Sequence, residues 1–386
     1  MLAALACSAP RSVSDAVASL GRTEDVRFSP SCRRLVVAAF LLDRLAVFDV
    51  EITTAREVPH VALTGGVQVS SSALRWPHGV DFLDEDTVIV TNRAGDVSLL
   101  ALPSGDPAVS TRAVAPVARW PADASTGLAA PGSVTVLRGE EGRCEVLICN
   151  NSGHTVTRHV VDRHVLASSQ VLLQQRLAVP DGVCVSPDRR WIAVSNHTTH
   201  NVLLFENTPA LDARSEPEGI LRRVYYPHGL RFTPDGRYLF VADAGAPVLH
   251  IYAQGAEQWR GVHAPLATVT IMDEATFHRG RHNPQEGGPK GIDIHPRANL
   301  LVVTSESQPL GFFDVPTLLD HASTAAAAST ETGSLELRHE LAMMQELRDL
   351  TAAAADARAL QNSVSWRITA PLRWVRAAFR RGMPSS

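Results

Sequence analysis

Short, nearly continuous apolar runs bounded by proline, glycine and aspartate recur through the first 316 residues of the chain. Pro77-His78-Gly79-Val80-Asp81-Phe82 is followed by Thr87-Val88-Ile89-Val90-Thr91-Asn92 and then by Val97-Ser98-Leu99-Leu100. The same order returns at Pro180–Val185, Trp191–Asn196 and Val202–Phe205, and again at Pro227–Phe232, Tyr238–Asp243 and Leu249–Tyr252. A fourth copy opens at Pro289-Lys290-Gly291-Ile292, and weaker ones open at Pro131-Gly132-Ser133 and at Asp25-Val26-Arg27-Phe28. Runs of this length and punctuation read as β-strands, and Ser186-Pro187-Asp188 and Thr233-Pro234-Asp235-Gly236 preset the reversals between them. A fourth, more polar strand fits the remaining length, for instance around Gln68–Leu74 or Ala267–Ile271.

The anchoring glycines 79, 132, 182, 229 and 291 are 53, 50, 47 and 62 residues apart, and Asp25 stands 54 before the first. Four strands repeated at about 50 residues describe a propeller blade. A sandwich has no reason for a six-fold repeat, and a solenoid uses shorter, more even units. The predicted fold is therefore all-β: a six-bladed β-propeller of four-stranded blades over residues 1–321. An Ala/Ser/Thr-rich linker (322–333) and an α-helical, basic tail (334–386) follow. No fourth strand is legible after Asp314, so Ser12–Leu20 is expected to supply the last blade's outer strand and close the ring. The alternative for that segment is a short helix.

Pro-His-Gly-Val…Val-Thr-Asn-Arg and Pro-Asp-Gly-Val…Val-Ser-Asn-His resemble the YVTN/NHL group of propellers, whose members include lactonase-like proteins. The resemblance covers roughly residues 15–316 and implies that two sets of turns open on one face of the ring. The turn into each innermost strand would bring His78, Asp181, His228 and Lys290 to that face. The turn after each second strand would bring Asn92, Asn150, Asn196, Asp243 and Glu306. Convergent polar groups around a channel suit a small molecule or a metal, whereas Asn and Asp at strand ends also cap turns through their own backbone. Calcium-dependent lactonase-type propellers use a carboxylate with Asn/Asp ligands. By that likeness Asp243, Glu306, Asn150 and Asn196 could form an all-oxygen shell for calcium, with Asp243 and Glu306 as the candidate catalytic groups.

The longest spacing comes from the insertion Phe277–Gly288, which should lie beside the channel mouth. Its His278, Arg279, Arg281 and His282, with Lys290, suit a phosphate, carboxylate or sugar acid. Gly280 and Pro284 argue against a helix that would align His278 with His282 as metal ligands. No Gly-x-Ser-x-Gly, His-Glu-x-x-His or phosphate-binding Gly-rich motif is present.

Composition changes this picture little: 45% hydrophobic and 20% charged residues describe an ordinary globular chain. The net charge is −4, but five arginines and no acid in residues 363–386 leave −9 on the rest, which gives no nucleic-acid-binding surface. Lys290 is the only lysine. The five cysteines have no framework spacing and most read as buried, reduced thiols, so a cytoplasmic location is expected. Met1–Pro10 is too short and lacks the basic start of a secretion signal.

In the tail, Leu337, Leu341, Met344, Leu347, Leu350 and Ala354 recur at helical spacing, as in an amphipathic helix or short coiled coil. Ser365-Trp366-Arg367-Ile368-Thr369-Ala370-Pro371-Leu372-Arg373 resembles a C-terminal element of bacterial glycosyltransferases and other surface-polysaccharide proteins, which implies a pathway and not a reaction. The tail's arginines and aromatics suit an anionic membrane surface or a glycosyltransferase complex. The leading functional expectation is a non-catalytic propeller that binds a glycan such as an anionic sugar, a sugar nucleotide or a partner protein in surface-polysaccharide biosynthesis, with a divalent cation such as calcium the one cofactor considered. A lactonase-like, metal-dependent hydrolase and a general interaction scaffold are the alternatives.

Overall fold

The computed structural model describes residues 1–55 and 58–325, together with positions 341, 344, 345, 348, 349 and 353. Six antiparallel sheets follow one another along the chain, and their first strands stand side by side around a central channel. Blade 1 is Thr23–Phe28, Arg34–Ala39, Arg44–Ala55 and Val58–Ser70. Blades 2, 3, 4 and 5 begin with Pro77–Phe82, Pro131–Arg138, Pro180–Val185 and Pro227–Phe232, and each continues outward through three more strands. Among the described residues blade 6 has three strands, Ile292–His295, Leu300–Val303 and Gly311–Asp314. The middle strands are buried on both faces, which is why their sequences read as unbroken apolar runs.

Two insertions tie neighbouring blades together. Ser110–Ala113, from the connection inside blade 2, adds a parallel strand to the outer edge of blade 1. Gly261–His263, from the corresponding connection of blade 5, does the same for blade 4.

Ring closure departs from expectation. Ser12–Leu20 is not a strand: helix α1 spans Arg11–Ala18. Pro10 precedes it with φ −57°, and the buried positions Val13, Ala16 and Leu20 follow a spacing of three and four, not two. These side chains join Leu300, Val302 and Phe312 of blade 6 and Leu35 and Val37 of blade 1 in one core cluster. The strand-like part of the N-terminus lies further upstream. Leu2 N–H donates to Thr270 of blade 5, Leu5 N–H donates to Phe312 of blade 6, and Cys7–Ser8 pair in parallel with Val61–Ala62 of blade 1. One segment thus crosses the outer edges of the last, next-to-last and first blades.

After Asp314 the chain forms helix α3 (Val315–Ala325), so it stays helical across the first residues of the expected linker. The predicted amphipathic helix falls mostly outside the described residues; its six described positions are helical, and Leu341 and Met344 are buried. The Ser365–Arg373 element lies outside the described residues. Of the cysteines, Cys7 is exposed and the other four are buried and unpaired. No helix among the described residues is long and apolar enough to cross a membrane.

The inner strands of blades 1 to 5 share a bulge near their first residues, where pairing with the second strand shifts by one. Such a bulge re-aims a side chain. The residue after it sits where adjacent inner strands nearly touch: a Cβ on Gly182 would lie 2.1 Å from the His228 carbonyl, and one on Gly229 2.4 Å from that of Lys290. The repeated glycine therefore answers close approach between blades. Gly182→Ala should destabilise the protein by about 1–3 kcal/mol through overpacking, whereas Gly95→Ala, whose Cβ would meet nothing nearer than 3.5 Å, should change stability little. Urea denaturation of the two variants checks this; comparable losses would remove the close-approach argument.

Candidate functional site

Because the inner strands start on the same register, one position repeats around the channel: the second residue of the strand in blades 1 to 5, Glu24, His78, Gly132, Asp181 and His228, and in blade 6 Lys290, two residues ahead of Ile292. Blade 3 corrects the sequence alignment. Pro131 pairs with Asn150 as Pro77 pairs with Asn92, so Gly132 stands in the place of His78 and not of Gly79. Here the ring has no side chain, and Arg93 and Asn151 occupy the space a Cβ would enter.

The predicted residues His78, Asp181, His228 and Lys290 do come together, all buried. His228 Nε2 lies 3.0 Å from Asp181 Oδ2 and 3.2 Å from Glu24 Oε2. Its ring stacks on that of His78 at 5.4 Å. Lys290 Nζ donates to both oxygens of Glu24, at 3.0 and 3.1 Å, and to Glu286 Oε2 at 2.6 Å. Arg22 donates to the same two carboxylates and covers the ring of Phe40 at 4.6 Å. Arg93 Nη2 donates to Asp181 Oδ1 at 2.8 Å and to His78 Nε2, which places the His78 proton on Nδ1. Asn151 donates to Asp181 Oδ1 at 3.1 Å.

This packing sets the charges. Burial alone would raise the carboxyls of Glu24 and Asp181, but their cationic and imidazole neighbours outweigh it and hold both well below the usual range. Those neighbours are chiefly Lys290 and His228 for Glu24, and His228, His78 and His197 for Asp181. Burial, with Arg93 beside it, pushes His78 far down; burial pushes His197 to about 4. The site thus holds ionised carboxylates beside the neutral imidazoles of His78 and His197. Asp181 Oδ2, His197 Nε2 and His78 Nδ1 are buried without a hydrogen bond. Two overlapping groups, Glu24–His78–His228 and Asp181–His197–His228, each bring three potential metal-ligand atoms within 4.8 Å of one another.

One side of the channel is shut. Arg27, buried below the ring on blade 1, donates to Ile292 O of blade 6 at 3.2 Å and to Val134 O of blade 3 at 3.3 Å. On the other side Arg22, Arg93 and Glu286 keep some exposure.

The second predicted set does not join this cluster. Asn92, Asn150 and Asn196 each accept a hydrogen bond from the backbone N–H two residues ahead of the proline that opens the inner strand of the same blade, at Arg75, Ala129 and Ala178. Asp243 does the same for Tyr225 at 2.7 Å, accepts from Tyr226 and Gly245, and faces His250. These side chains latch the end of each second strand to the approach of its inner strand. Asn150, Asn196, Asp243 and Glu306 are therefore not assembled as an all-oxygen calcium shell. Glu306 meets His282 at 2.6 Å instead, and burial raises its carboxyl despite that neighbour.

The insertion reaches the mouth, but through its acid. Glu286 enters the cluster, and the Gly287 and Gly288 N–H groups donate to Ala244 O, at 2.9 Å each, to hold it there. His278 and Arg279 close the six-residue helix α2 (Glu274–Arg279); His278 faces Glu274 at 3.6 Å and Arg279 donates to Thr276. Arg281 turns back onto Pro284 O and the Phe277 ring.

Glu24, Arg22, Arg93, Asn151, His197 and Glu286 were missed in the sequence. Arg93, Asn151 and His197 each follow a predicted Asn by one position, so the repeat pointed to the turn and missed the side chain that faces the channel. Glu24 was hidden because its copy lacks the proline and glycine.

No family model matches the chain, and no curated protein matches it in sequence. Among solved structures it is similar to a putative 6-phosphogluconolactonase from Bacteroides uniformis (12% identity, 80% of this chain and 83% of that one, TM-score 0.49). It is also similar to a functionally unknown protein from Desulfotomaculum acetoxidans (14%, 76% and 83%, TM-score 0.48). A luciferin-regenerating enzyme compares at 13%, 76% and 91%, with a TM-score of 0.48.

Removing the ammonium should expose the cost of the buried acids. Lys290→Met should lose about 3–5 kcal/mol of stability, as expected when one partner of a buried ion pair is deleted. Lys290→Met combined with Glu24→Gln should recover part of that loss in chemical denaturation. A double variant no more stable than the single one would mean that Glu24 is balanced by other groups.

Proposed function

We propose that the protein is a binding propeller that holds a small sugar-type ligand at the open mouth of the channel. The observation that supports this reading is the rim. Trp76 and Tyr225, 48% and 55% exposed, stand one and two residues ahead of the prolines that open the inner strands of blades 2 and 5. Those blades are three steps apart in a ring of six, so the two aromatic groups flank the polar floor from opposite sides. Trp76 stacks on Phe40, which meets His78 edge-on, and Tyr225 stacks on His200 beside Tyr226 and His197. Half-exposed amphipathic rings above buried donors and acceptors suit a ring with one apolar face and a hydroxylated edge. Arg22 and Arg93 add partly exposed guanidinium groups for an acidic substituent.

Titration with hexuronic acids and nucleotide sugars, followed by calorimetry, tests this. Binding by a member of that panel is expected, weakened about tenfold by Trp76→Ala or Tyr225→Ala, a loss within the range of single aromatic contacts. No heat across the panel, or binding indifferent to both substitutions, would overturn the reading.

The pathway assignment, surface-polysaccharide biosynthesis, rests on the resemblance of residues 365–373, and with it the proposal that the tail meets an anionic membrane or a glycosyltransferase complex. The charge of +5 without an acid in residues 363–386 supports the electrostatic part. Replacing the five tail arginines by glutamine should abolish co-flotation of the full chain with anionic vesicles; equal flotation would sink the membrane contact.

A further inference from the structure

We infer that Asp181, His197 and His228 form a site for a first-row divalent transition-metal ion. Asp181 and His228 come from the inner strands of blades 4 and 5, and His197 from the turn that ends the second strand of blade 4. Their ligand atoms lie within 4.8 Å of one another. The Asp181 Oδ2 separations are 3.0 Å to His228 Nε2 and 3.5 Å to His197 Nε2. Ligands held about 2.1 Å from a common ion stand roughly 3.0 Å apart in an octahedral arrangement and 3.4 Å apart in a tetrahedral one, so the two observed edges already match.

The second, independent observation is the state of those atoms. Asp181 Oδ2 and His197 Nε2 are buried and have no hydrogen-bond partner. A native interior rarely leaves such groups without a partner unless water, an ion or a ligand completes them. The surroundings are arranged to keep Oδ2 available: Arg93 and Asn151 both bond the other oxygen of the same carboxylate. The Tyr226 ring, 4.2 Å from that of His197, fixes the imidazole. Outer contacts of this kind orient ligands and tune affinity.

The neighbouring triad is a poorer host. Both oxygens of Glu24 accept from the Lys290 ammonium, and His78 Nε2 accepts from Arg93. A dication there would have to displace two fixed cations. Two imidazoles and one carboxylate select a borderline metal such as zinc or iron(II) over calcium or magnesium, which prefer oxygen. Three protein ligands leave coordination positions for water or a bound molecule.

The test uses the full chain, stripped with chelator and titrated with cobalt(II) and zinc(II) in the absence of sugar, so its result does not depend on the ligand proposed above. One equivalent should bind, with visible cobalt absorption bands of a nitrogen- and oxygen-ligated ion, and zinc should displace it. Asp181→Asn, His197→Ala and His228→Ala should each weaken binding by about 100-fold, and Arg93→Ala by about 10-fold. Absence of stoichiometric binding to the wild-type chain would overturn the inference whatever the variants do. So would wild-type affinity in His197→Ala together with its loss in Glu24→Gln and His78→Gln. X-ray absorption of the cobalt-loaded wild-type chain counts the imidazoles without any substitution; two support the site, and none refutes it.

Discussion

A propeller made from one chain must join its first blade to its last, and here the seam runs through Glu24 and Lys290. Glu24 belongs to the inner strand of blade 1, and Lys290 leads into that of blade 6. Beside them, a Cβ on Gly291 would lie 2.5 Å from the Asp25 Cα, so the two backbones are already in contact. A buried ion pair is tolerated when its geometry is good and its remaining valences are met. Arg22 and Glu286 supply that completion, giving two carboxylates, one ammonium and one guanidinium. In a chain whose other positive side chains are arginines, a lysine stands at the one place where a compact charge faces three carboxylate oxygens. The closure of the fold and the electrostatics of its mouth are therefore one feature.

The rest of the ring is built by repetition of small polar devices. An Asn or Asp at the end of a second strand latches the approach to the inner strand in blades 2 to 5. One residue earlier, the hydroxyls of Thr91 and Ser195 accept from the Gly79 and Gly182 N–H groups and donate to a carbonyl of the next blade. At the fifth inner-strand position, Asp81 accepts from Val136 N–H of blade 3 and Asp293 from Phe28 N–H of blade 1. Each device satisfies backbone groups that the bulge and the blade junction would otherwise leave unpaired. Their regularity is what made the repeat visible.

That same regularity explains where sequence reading failed. Residues that recur, such as Asn92, Asn150 and Asn196, recur because they hold backbone in the same way in every blade. A site needs different side chains at equivalent positions, and Glu24, His78, Gly132, Asp181, His228 and Lys290 share no residue type except the two histidines. Four of these six were legible because proline and glycine flagged their register. Glu24 was not, because blade 1 carries Asp25 where the others carry glycine or serine. The α1 helix was misread for another reason: an eight-residue amphipathic helix and an outer strand offer similar apolar content, and only spacing separates them. Glu286 gave no local signal, since its role depends on Gly287 and Gly288 lying against blade 5.

Asymmetry at equivalent positions also fixes where chemistry can occur. Glycine at 132 opens one sixth of the ring, and Arg93 from blade 2 enters that gap to reach Asp181. The carboxylate is then hydrogen-bonded on one oxygen, while the other makes no hydrogen bond and faces the His228 and His197 rings. On the far side of the ring, Arg27 reaches carbonyls of the opposed blades 3 and 6 and closes the channel. The partly exposed guanidinium groups, the Asp181 Oδ2 atom and the half-exposed aromatic groups consequently share one face. A side chain larger than glycine at position 132 would force Asn151 and Arg93 aside while leaving every blade's strand pairing unchanged. The fold therefore constrains that position little, and the site constrains it strongly.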